Sequence, residues 1–166
     1  MSALYLIVGL IACQRLAELA YARRNERRLI ARGGHEVGRE HYPLFILLHG
    51  GWLLAMLATV SPGRVPNWDL IGVMAALQLL RLWVVASLGP YWTTRIITLP
   101  DAPLIRRGPF RILRHPNYAI VIAEIAILPI AFGAYGVAIG FSILNLLLLR
   151  LRIGVEEQAL APRRAL

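Results

Sequence analysis

The residues best suited to chemistry are concentrated in two polar segments, residues 91–118 and residues 150–157. The first contains the run Arg114-His115-Pro116-Asn117-Tyr118, and the second contains Arg152 and Glu156. Histidine, tyrosine and glutamate can hydrogen-bond a polar ligand, and arginine can orient an anionic one. Arg152 and Glu156 are four residues apart, so they share a face if their segment is helical. The pattern predicts a polar binding site. The alternatives are a lipid-facing anchor of arginines and aromatics, and an ordinary surface ion pair.

Glu124 is a further candidate, because it lies six positions after Tyr118 inside an otherwise apolar stretch. A carboxyl group is costly at membrane depth and is by default a functional candidate there. One hypothesis is that Glu124 binds or deprotonates a substrate hydroxyl. The alternative is a structural pairing with another buried polar residue, such as Asn145, Arg81 or Arg15.

The remaining polar residues of the apolar stretches favour structural roles. Arg15 and Glu18 are three residues apart, which indicates a local ion pair. Arg81 is expected to pair or to extend its guanidinium towards the membrane surface. His49 is interpreted as a hydrogen-bonding residue between packed helices, with contact to a substrate as the less favoured alternative.

The composition indicates which elements must position these residues. Hydrophobic residues make up 58% of the 166 positions and charged residues 16%. Soluble domains have roughly 45–50% apolar and about 25% charged residues. The apolar residues also fall into blocks separated by charged connectors, which is typical of a membrane protein with several spanning helices. We therefore predict an all-α membrane bundle that forms a single domain over residues 1–166.

Five helices account for the apolar blocks. The first three are predicted over residues 2–22, 43–60 and 68–88. Apolar character resumes at residue 118 and continues to about residue 149, interrupted by Gly133-Ala134-Tyr135-Gly136. Two helices joined by a tight turn fit this block, and four spans in total are the alternative if the block is a re-entrant hairpin. A hairpin brings its two polar ends together, which predicts that the run ending at Tyr118 lies near Arg152 and Glu156.

The arginines predict the orientation of the bundle. All 18 basic residues are arginine, and the net charge is +9. Fifteen lie in the segments 23–42, 89–117 and 150–164, whereas the other two connectors contain only Arg64. Because cytoplasmic loops collect basic residues, we expect the N-terminus outside and the C-terminus in the cytoplasm. A basic protein can also bind nucleic acid, but arginines confined to short connectors argue against that function.

Cysteine and histidine usage limits other functions. Cys13 is the only cysteine, so no intrachain disulfide and no cysteine-based metal cluster is expected. The four histidines show no paired spacing typical of metal ligands, and no metal is predicted. The N-terminal stretch lacks a basic region and a small-residue cleavage site, so it is interpreted as a mature span.

A family resemblance follows from three features of residues 90–162. These are Gly108-Pro109-Phe110, the run Arg114-His115-Pro116-Asn117-Tyr118, and a hydrophobic hairpin that ends in Arg152 and Glu156-Glu157. Together they resemble the isoprenylcysteine carboxyl methyltransferase family, whose relatives include the phospholipid methyltransferases. Within the family, the chain looks most like the bacterial branch that methylates alkylpyrones or alkylresorcinols.

The resemblance implies S-adenosylmethionine as the methyl donor, bound at the cytoplasmic side within a methyltransferase core over residues 90–162. It implies that Arg152 orients the methyl acceptor. The donor-binding residues that it implies are Arg95, Ala102, Pro103, Leu104, Ile105, Phe110, His115, Pro116, Asn117, Tyr118 and Glu156. Two positions depart from the family pattern, because Phe110 replaces a tyrosine and Ile120 replaces a glycine. Packing around the donor is therefore expected to differ there.

The expected function is O-methyl transfer to a lipophilic acceptor taken from the bilayer. The acceptor is either the hydroxyl of an alkylpyrone or alkylresorcinol or the carboxylate of an isoprenylcysteine. A carboxylate is already ionised at pH 7, whereas a phenol with a pKa near 10 needs help to lose its proton. The alternative is a small transporter or a non-catalytic membrane scaffold, which predicts polar residues at the membrane midplane. The expected location is the bacterial inner membrane, with the active site facing the cytoplasm and membrane lipids as partners. The oligomeric state is left open.

Overall fold

The computed structural model describes residues 2–99, 102 and 105–161. Within these residues the chain forms five α-helices and one small antiparallel pair of strands. The elements are α1 (Ala3–Ala31), β1 (His35–Val37), α2 (Tyr42–Thr59), α3 (Trp68–Leu88), β2 (Ile96–Thr98), α4 (Pro116–Ala131) and α5 (Tyr135–Leu160). Short 3-10 turns occur at Arg39–His41, Gly89–Tyr91 and Gly108–Arg111.

Four of these helices are long and apolar enough to cross a membrane, and α4 is the short one. The 16 residues of α4 extend about 24 Å at 1.5 Å per residue, compared with a hydrocarbon core of about 30 Å. The predicted all-α membrane bundle of five helices is confirmed. The side of the membrane on which each terminus lies stays a prediction from the arginine distribution.

The first helix is longer than predicted. We expected α1 to end at Ala22, but it continues to Ala31 through the arginine-rich connector. Ala22, Asn25, Glu26 and Leu29 are buried at helical spacing along this extension, whereas the arginines between them are exposed. The prediction was wrong because charge was taken as the end of the helix, although arginine and glutamate are good helix formers.

The largest apolar core lies in the half of the bundle that contains the N-terminus. It joins the first half of α1, the second half of α2, and facing parts of α3 and α4. Trp52, Met56, Ile125 and Leu128 are almost fully buried there. A second, smaller cluster around Ala22 packs the opposite half beneath the turn after α3. Leu77 packs against both clusters, so the two adjoin along α3.

Two features bring the polar segments together. A tight turn after Ala131 makes α4 and α5 antiparallel neighbours, so Tyr118 at the start of α4 lies beside the end of α5. The pairing of β1 with β2 then links the connector after α1 to the connector after α3, with Glu36 opposite Ile97. The loop of residues 92–99 is thereby held against the cytoplasmic ends predicted for α1 and α5.

Candidate active site

A cavity of about 1100 Å³ passes through the bundle, and all five helices contribute to its wall. Its polar end is formed by Arg95, His115, Tyr118, Arg152 and Glu156. Its central section is formed by Arg15, Glu18, His49, Arg81 and Asn117. Its apolar end is formed by Ala12, Leu16, Ile46, Gly50 and Leu53. Because the lining of α1 runs from Ala12 to Leu29, the cavity extends about 26 Å along that helix.

Tyr118 connects α4 to α5 at the polar end. Its hydroxyl donates to the carboxylate of Glu156 and accepts a hydrogen bond of 2.8 Å from Nε of Arg152. The Arg152 guanidinium also donates from Nη2 to the carbonyl of Thr94 at 2.7 Å. Its remaining face lies over the ring of Phe45, 5.1 Å from the centroid. Arg152 is therefore held from three sides, which fixes the direction in which it presents its charge.

His115 lies next to this group with its ring stacked on Tyr118, at a centroid separation of 5.3 Å. Its Nδ1 is 3.9 Å from Glu156 and its Nε2 is 3.6 Å from Glu157. The Nε2 atom is buried and makes no hydrogen bond within the described part of the chain. A bound polar ligand could satisfy it.

Arg95 closes the polar end from the loop before β2. It donates two hydrogen bonds to Glu36, at 2.9 and 3.1 Å, and lies 3.8 Å from Glu26. Desolvation lowers the pKa of the Arg95 guanidinium, but the hydrogen bonds and charges of these glutamates raise it above its ordinary value. Its guanidinium also covers the ring of Tyr42 at 4.7 Å. Arg95 therefore ties this loop to α1, β1 and α2.

A buried ionic network lies between the polar end and the apolar end, at the wall of the central section. Glu124, only 1% exposed, accepts hydrogen bonds from Arg15 at 2.5 Å, from Arg81 at 3.1 and 2.5 Å, and from Gln78 at 2.8 Å. Glu18 receives the other arms of both arginines, at 3.2 and 3.4 Å. The expected ion pair between Arg15 and Glu18 is present, but it belongs to this larger network across α1, α3 and α4.

Most of the predicted site residues line the cavity, but not all of them do. The cavity wall includes Arg95, Ile105, Phe110, His115, Pro116, Asn117, Tyr118, Arg152 and Glu156. Ala102 is buried instead in a small apolar cluster with Leu29 and Leu99. Asn117 accepts a hydrogen bond of 3.1 Å from Arg81, so it joins the ionic network. Glu124 lies behind the cavity lining and is paired with Arg15 and Arg81. This is the structural pairing given above as the alternative to a role in binding or deprotonating a substrate. Pro103 and Leu104 lie outside the described residues.

Several residues that line or support the site were missed by sequence reasoning. Asn25 is fully buried and donates to the carbonyls of Gly89 and Trp92 at 3.1 and 2.9 Å. Thr94 and Phe45 hold Arg152, as described above. The helical spacing of Ala22, Asn25 and Leu29 was a signal that α1 continues into the site. Thr94 lies within the polar segment 91–118 but was not singled out, and no comparable signal marked Phe45.

The fold and the site define a membrane-embedded helical protein with a bipartite cavity, and the family comparison assigns its class. Residues 70–162, more than half of the chain, match the isoprenylcysteine carboxyl methyltransferase (ICMT) family. The chain therefore belongs to this family of membrane methyltransferases, which confirms the resemblance noted in its sequence. The alkylpyrone branch within the family stays a prediction.

Two relatives share nearly the full length of the chain. Uncharacterized protein YpbQ of Bacillus subtilis (strain 168) is 38% identical over 160 residues, which cover 94% of this chain and 95% of the relative. An uncharacterized protein of Haemophilus influenzae is 28% identical over 153 residues, covering 89% of this chain and 88% of the relative. No solved structure matches the chain at a significant level.

Proposed function

We propose that the protein is an S-adenosylmethionine-dependent O-methyltransferase that takes a lipophilic acceptor from the bilayer. The observation that carries this proposal is the bipartite cavity. Its polar end suits a charged, water-soluble donor, while its apolar end includes Leu16 and Ile46, which are 66% and 53% exposed. An acceptor dissolved in lipid and a donor dissolved in water could therefore reach one space from different sides.

The polar end offers groups that fit the donor. The Glu156 carboxylate can accept from hydroxyl or amino groups, and the ring of Phe110 offers a surface for a planar base. The Nε2 of His115 and the buried Nε1 of Trp92, neither of which is hydrogen-bonded among the residues that the structure describes, provide two further polar contacts. S-Adenosylmethionine would supply an electrophilic methyl group at this end of the cavity.

The chain's own residues would align the acceptor and exclude water. Arg152, held by Tyr118, Thr94 and Phe45, can direct an anionic oxygen without losing much side-chain freedom when it binds. Alignment of this kind can contribute a large part of the rate enhancement, because the methyl donor is intrinsically reactive.

Glu124 serves this reaction as a positioning residue in our proposal. Its two oxygens already accept four hydrogen bonds from Arg15, Arg81 and Gln78. A carboxylate so occupied is poorly placed to remove a proton from a substrate. It holds the two guanidinium groups at the wall of the cavity instead.

The location of the site follows from the arginine distribution. The segments that form the polar end are the arginine-rich ones, and basic connectors favour the cytoplasmic side. We therefore place the donor end in the cytoplasm and the protein in the bacterial inner membrane. The acceptor is the hydroxyl of an alkylpyrone or alkylresorcinol, or the carboxylate of an isoprenylcysteine.

Binding of the donor to purified protein in detergent tests this proposal. Titration calorimetry with S-adenosylmethionine should show saturable binding that the Glu156→Gln variant weakens. Glu40→Gln changes an exposed carboxylate in the turn before α2 and should bind like the unmodified protein. Absence of binding to a folded sample would remove the methyltransferase proposal and favour a transporter or a scaffold.

The acceptor is identified in a second experiment. Membranes that contain the protein are incubated with methyl-labelled donor, and their lipids are analysed by mass spectrometry. A labelled methyl ether of a polyketide lipid and a labelled methyl ester of a prenylcysteine have different masses and fragments. Labelling of neither lipid class, with donor binding intact, would contradict both proposed acceptors.

A further inference from the structure

His49 presents an unoccupied hydrogen-bond acceptor in the middle of the cavity. Its Nδ1 lies 2.9 Å from the backbone carbonyl of Phe45. A carbonyl can only accept, so Nδ1 must carry the proton. In the neutral ring the lone pair is then on Nε2, which makes no hydrogen bond within the described part of the chain. His49 therefore has the form of a base whose tautomer is set by its own helix.

The position of His49 is between the two ends of the cavity. Phe45 and His49 are one turn apart on the same face of α2, a rise of about 6 Å. The Phe45 ring contacts the guanidinium of Arg152, whereas Leu53, one turn beyond His49, lines the apolar end. A lipophilic acceptor whose tail occupies the apolar end and whose head group faces Arg152 would pass His49.

The carboxylates near His49 already accept hydrogen bonds from other side chains. Glu124 accepts from Arg15, Arg81 and Gln78, and Glu18 accepts from both arginines and from Gln14. Arginine has no acceptor atom. Among the titratable residues of the central section, the Nε2 of His49 is therefore the group best able to take a proton.

We propose that His49 is the general base, and that the acceptor is consequently a weakly acidic hydroxyl, a phenol or an enol. This inference rests on the proposed methyltransferase function. The acceptor O–H bond breaks and its proton moves to Nε2 of His49. The oxygen forms the new O–CH₃ bond as the S–CH₃ bond of the donor breaks, with that electron pair remaining on sulfur. The positive charge lost from sulfur appears on the imidazolium, which later releases the proton to water.

The charged groups around His49 come from four other helices. They are Arg15 and Glu18 on α1, Arg81 on α3, Glu124 on α4 and Arg152 on α5. Arg15 and Arg81 are paired with Glu18 and Glu124, so the charges of the central section balance and do not oppose protonation of His49. Arg152 at the neighbouring polar end supplies the cation that an ionising hydroxyl would face, and a carboxylate acceptor would need no base at all.

The first test compares two acceptors in the His49→Asn variant. Asparagine can still donate to the Phe45 carbonyl but has no imidazole lone pair. We expect the rate of methylation of a long-chain alkylphenol to fall about 10²–10⁴-fold, the usual contribution of a general base. Methylation of a prenylcysteine carboxylate, if the protein performs it, should change less than about threefold. His35→Asn, at an exposed histidine of β1, is the matched control and should behave like the unmodified protein.

The second test needs no turnover. A long-chain nitrophenol, whose ionised form absorbs at longer wavelength, is bound to donor-free protein in detergent. We expect the bound probe to ionise at lower pH in the unmodified protein and in His35→Asn than in His49→Asn. His49→Gln is the second variant, used where His49→Asn folds poorly, and should give the same result as His49→Asn. Equal ionisation in all variants would overturn the inference.

The outcomes separate this inference from the function on which it rests. Donor binding with methylation of carboxylates alone would overturn the base role and leave the methyltransferase in place. Equal rate losses for both acceptors in His49→Asn would show a role in packing and would also overturn it. A folded protein that binds no S-adenosylmethionine would remove both proposals together.

Discussion

Replacement of Glu124 by glutamine should destabilise the protein strongly. The substitution removes the charge of a carboxylate that is 1% exposed and accepts four hydrogen bonds. Its amide group would direct N–H donors towards guanidinium groups that are themselves donors. Arg81, 3% exposed at its side chain, would keep Glu18 as its one charged partner among the described residues.

The magnitude follows from the burial of this network. Removal of one partner from a buried ion pair costs about 3–5 kcal/mol, because the other charge is left uncompensated. We expect the Glu124→Gln loss of unfolding free energy to lie in this range. Glu40→Gln removes a carboxylate that is 74% exposed and should change the free energy by less than about 0.5 kcal/mol.

Denaturant titration in mixed micelles, followed by far-ultraviolet circular dichroism, measures these differences. A Glu124→Gln variant as stable as the unmodified protein would refute the assigned network. The double variant with Arg15→Gln provides a sharper check, because it removes one of the uncompensated charges. Its loss should be smaller than the sum of the two single losses, and strict additivity would show that Arg15 and Glu124 are not coupled.

Three further substitutions test the polar end and its supports. Tyr118→Phe should weaken donor binding about tenfold in calorimetry. The reason is that a hydroxyl that orients two side chains of α5 contributes roughly 1.4 kcal/mol. Tyr135→Phe, at an exposed position, is the control and should have no effect on binding. Asn25→Ala should lower the thermal midpoint through a loss of about 1–3 kcal/mol, because the Trp92 carbonyl loses its side-chain donor and the Gly89 carbonyl keeps the backbone N–H of Trp92 alone. Gly108→Ala should lower the unfolding free energy by about 1–3 kcal/mol, because φ is +57° and the added methyl would meet a serine side chain of α3. Gly72→Ala, with open space around it in a helix, should be neutral or slightly stabilising, and equal effects at both glycines would contradict this account.

Much of the fold could be predicted from local patterns. The third helix was expected over residues 68–88 and spans Trp68–Leu88. The turn at Gly133-Ala134-Tyr135-Gly136 was expected between two helices, and α5 begins within it. Such boundaries can be predicted because proline, glycine and a cap such as Asn67, which accepts from the backbone N–H of Leu70, act over a few residues.

Parts of the site could be predicted for a different reason. The hairpin of α4 and α5 implied that the run ending at Tyr118 would lie near Arg152 and Glu156, and the structure brings these residues into hydrogen-bond contact. A short antiparallel connection leaves little freedom in how its two ends meet. The pairing of β1 with β2 had no such constraint, because 58 residues, which include two helices, lie between Val37 and its partner Ile96.

The sequence alone determined the polar residues of the segments 91–118 and 150–157, from which the chemistry was first inferred. It also determined the membrane-spanning character and the family. Only the tertiary structure decided what Glu124 and His49 face. Glu124 meets Arg15 across 109 positions of sequence, and His49 lies one helical turn from Phe45, whose ring contacts Arg152. A buried charge must find a partner, but its own sequence neighbourhood does not state which one. That choice depends on how the helices pack, and it separates a positioning carboxylate from a candidate base.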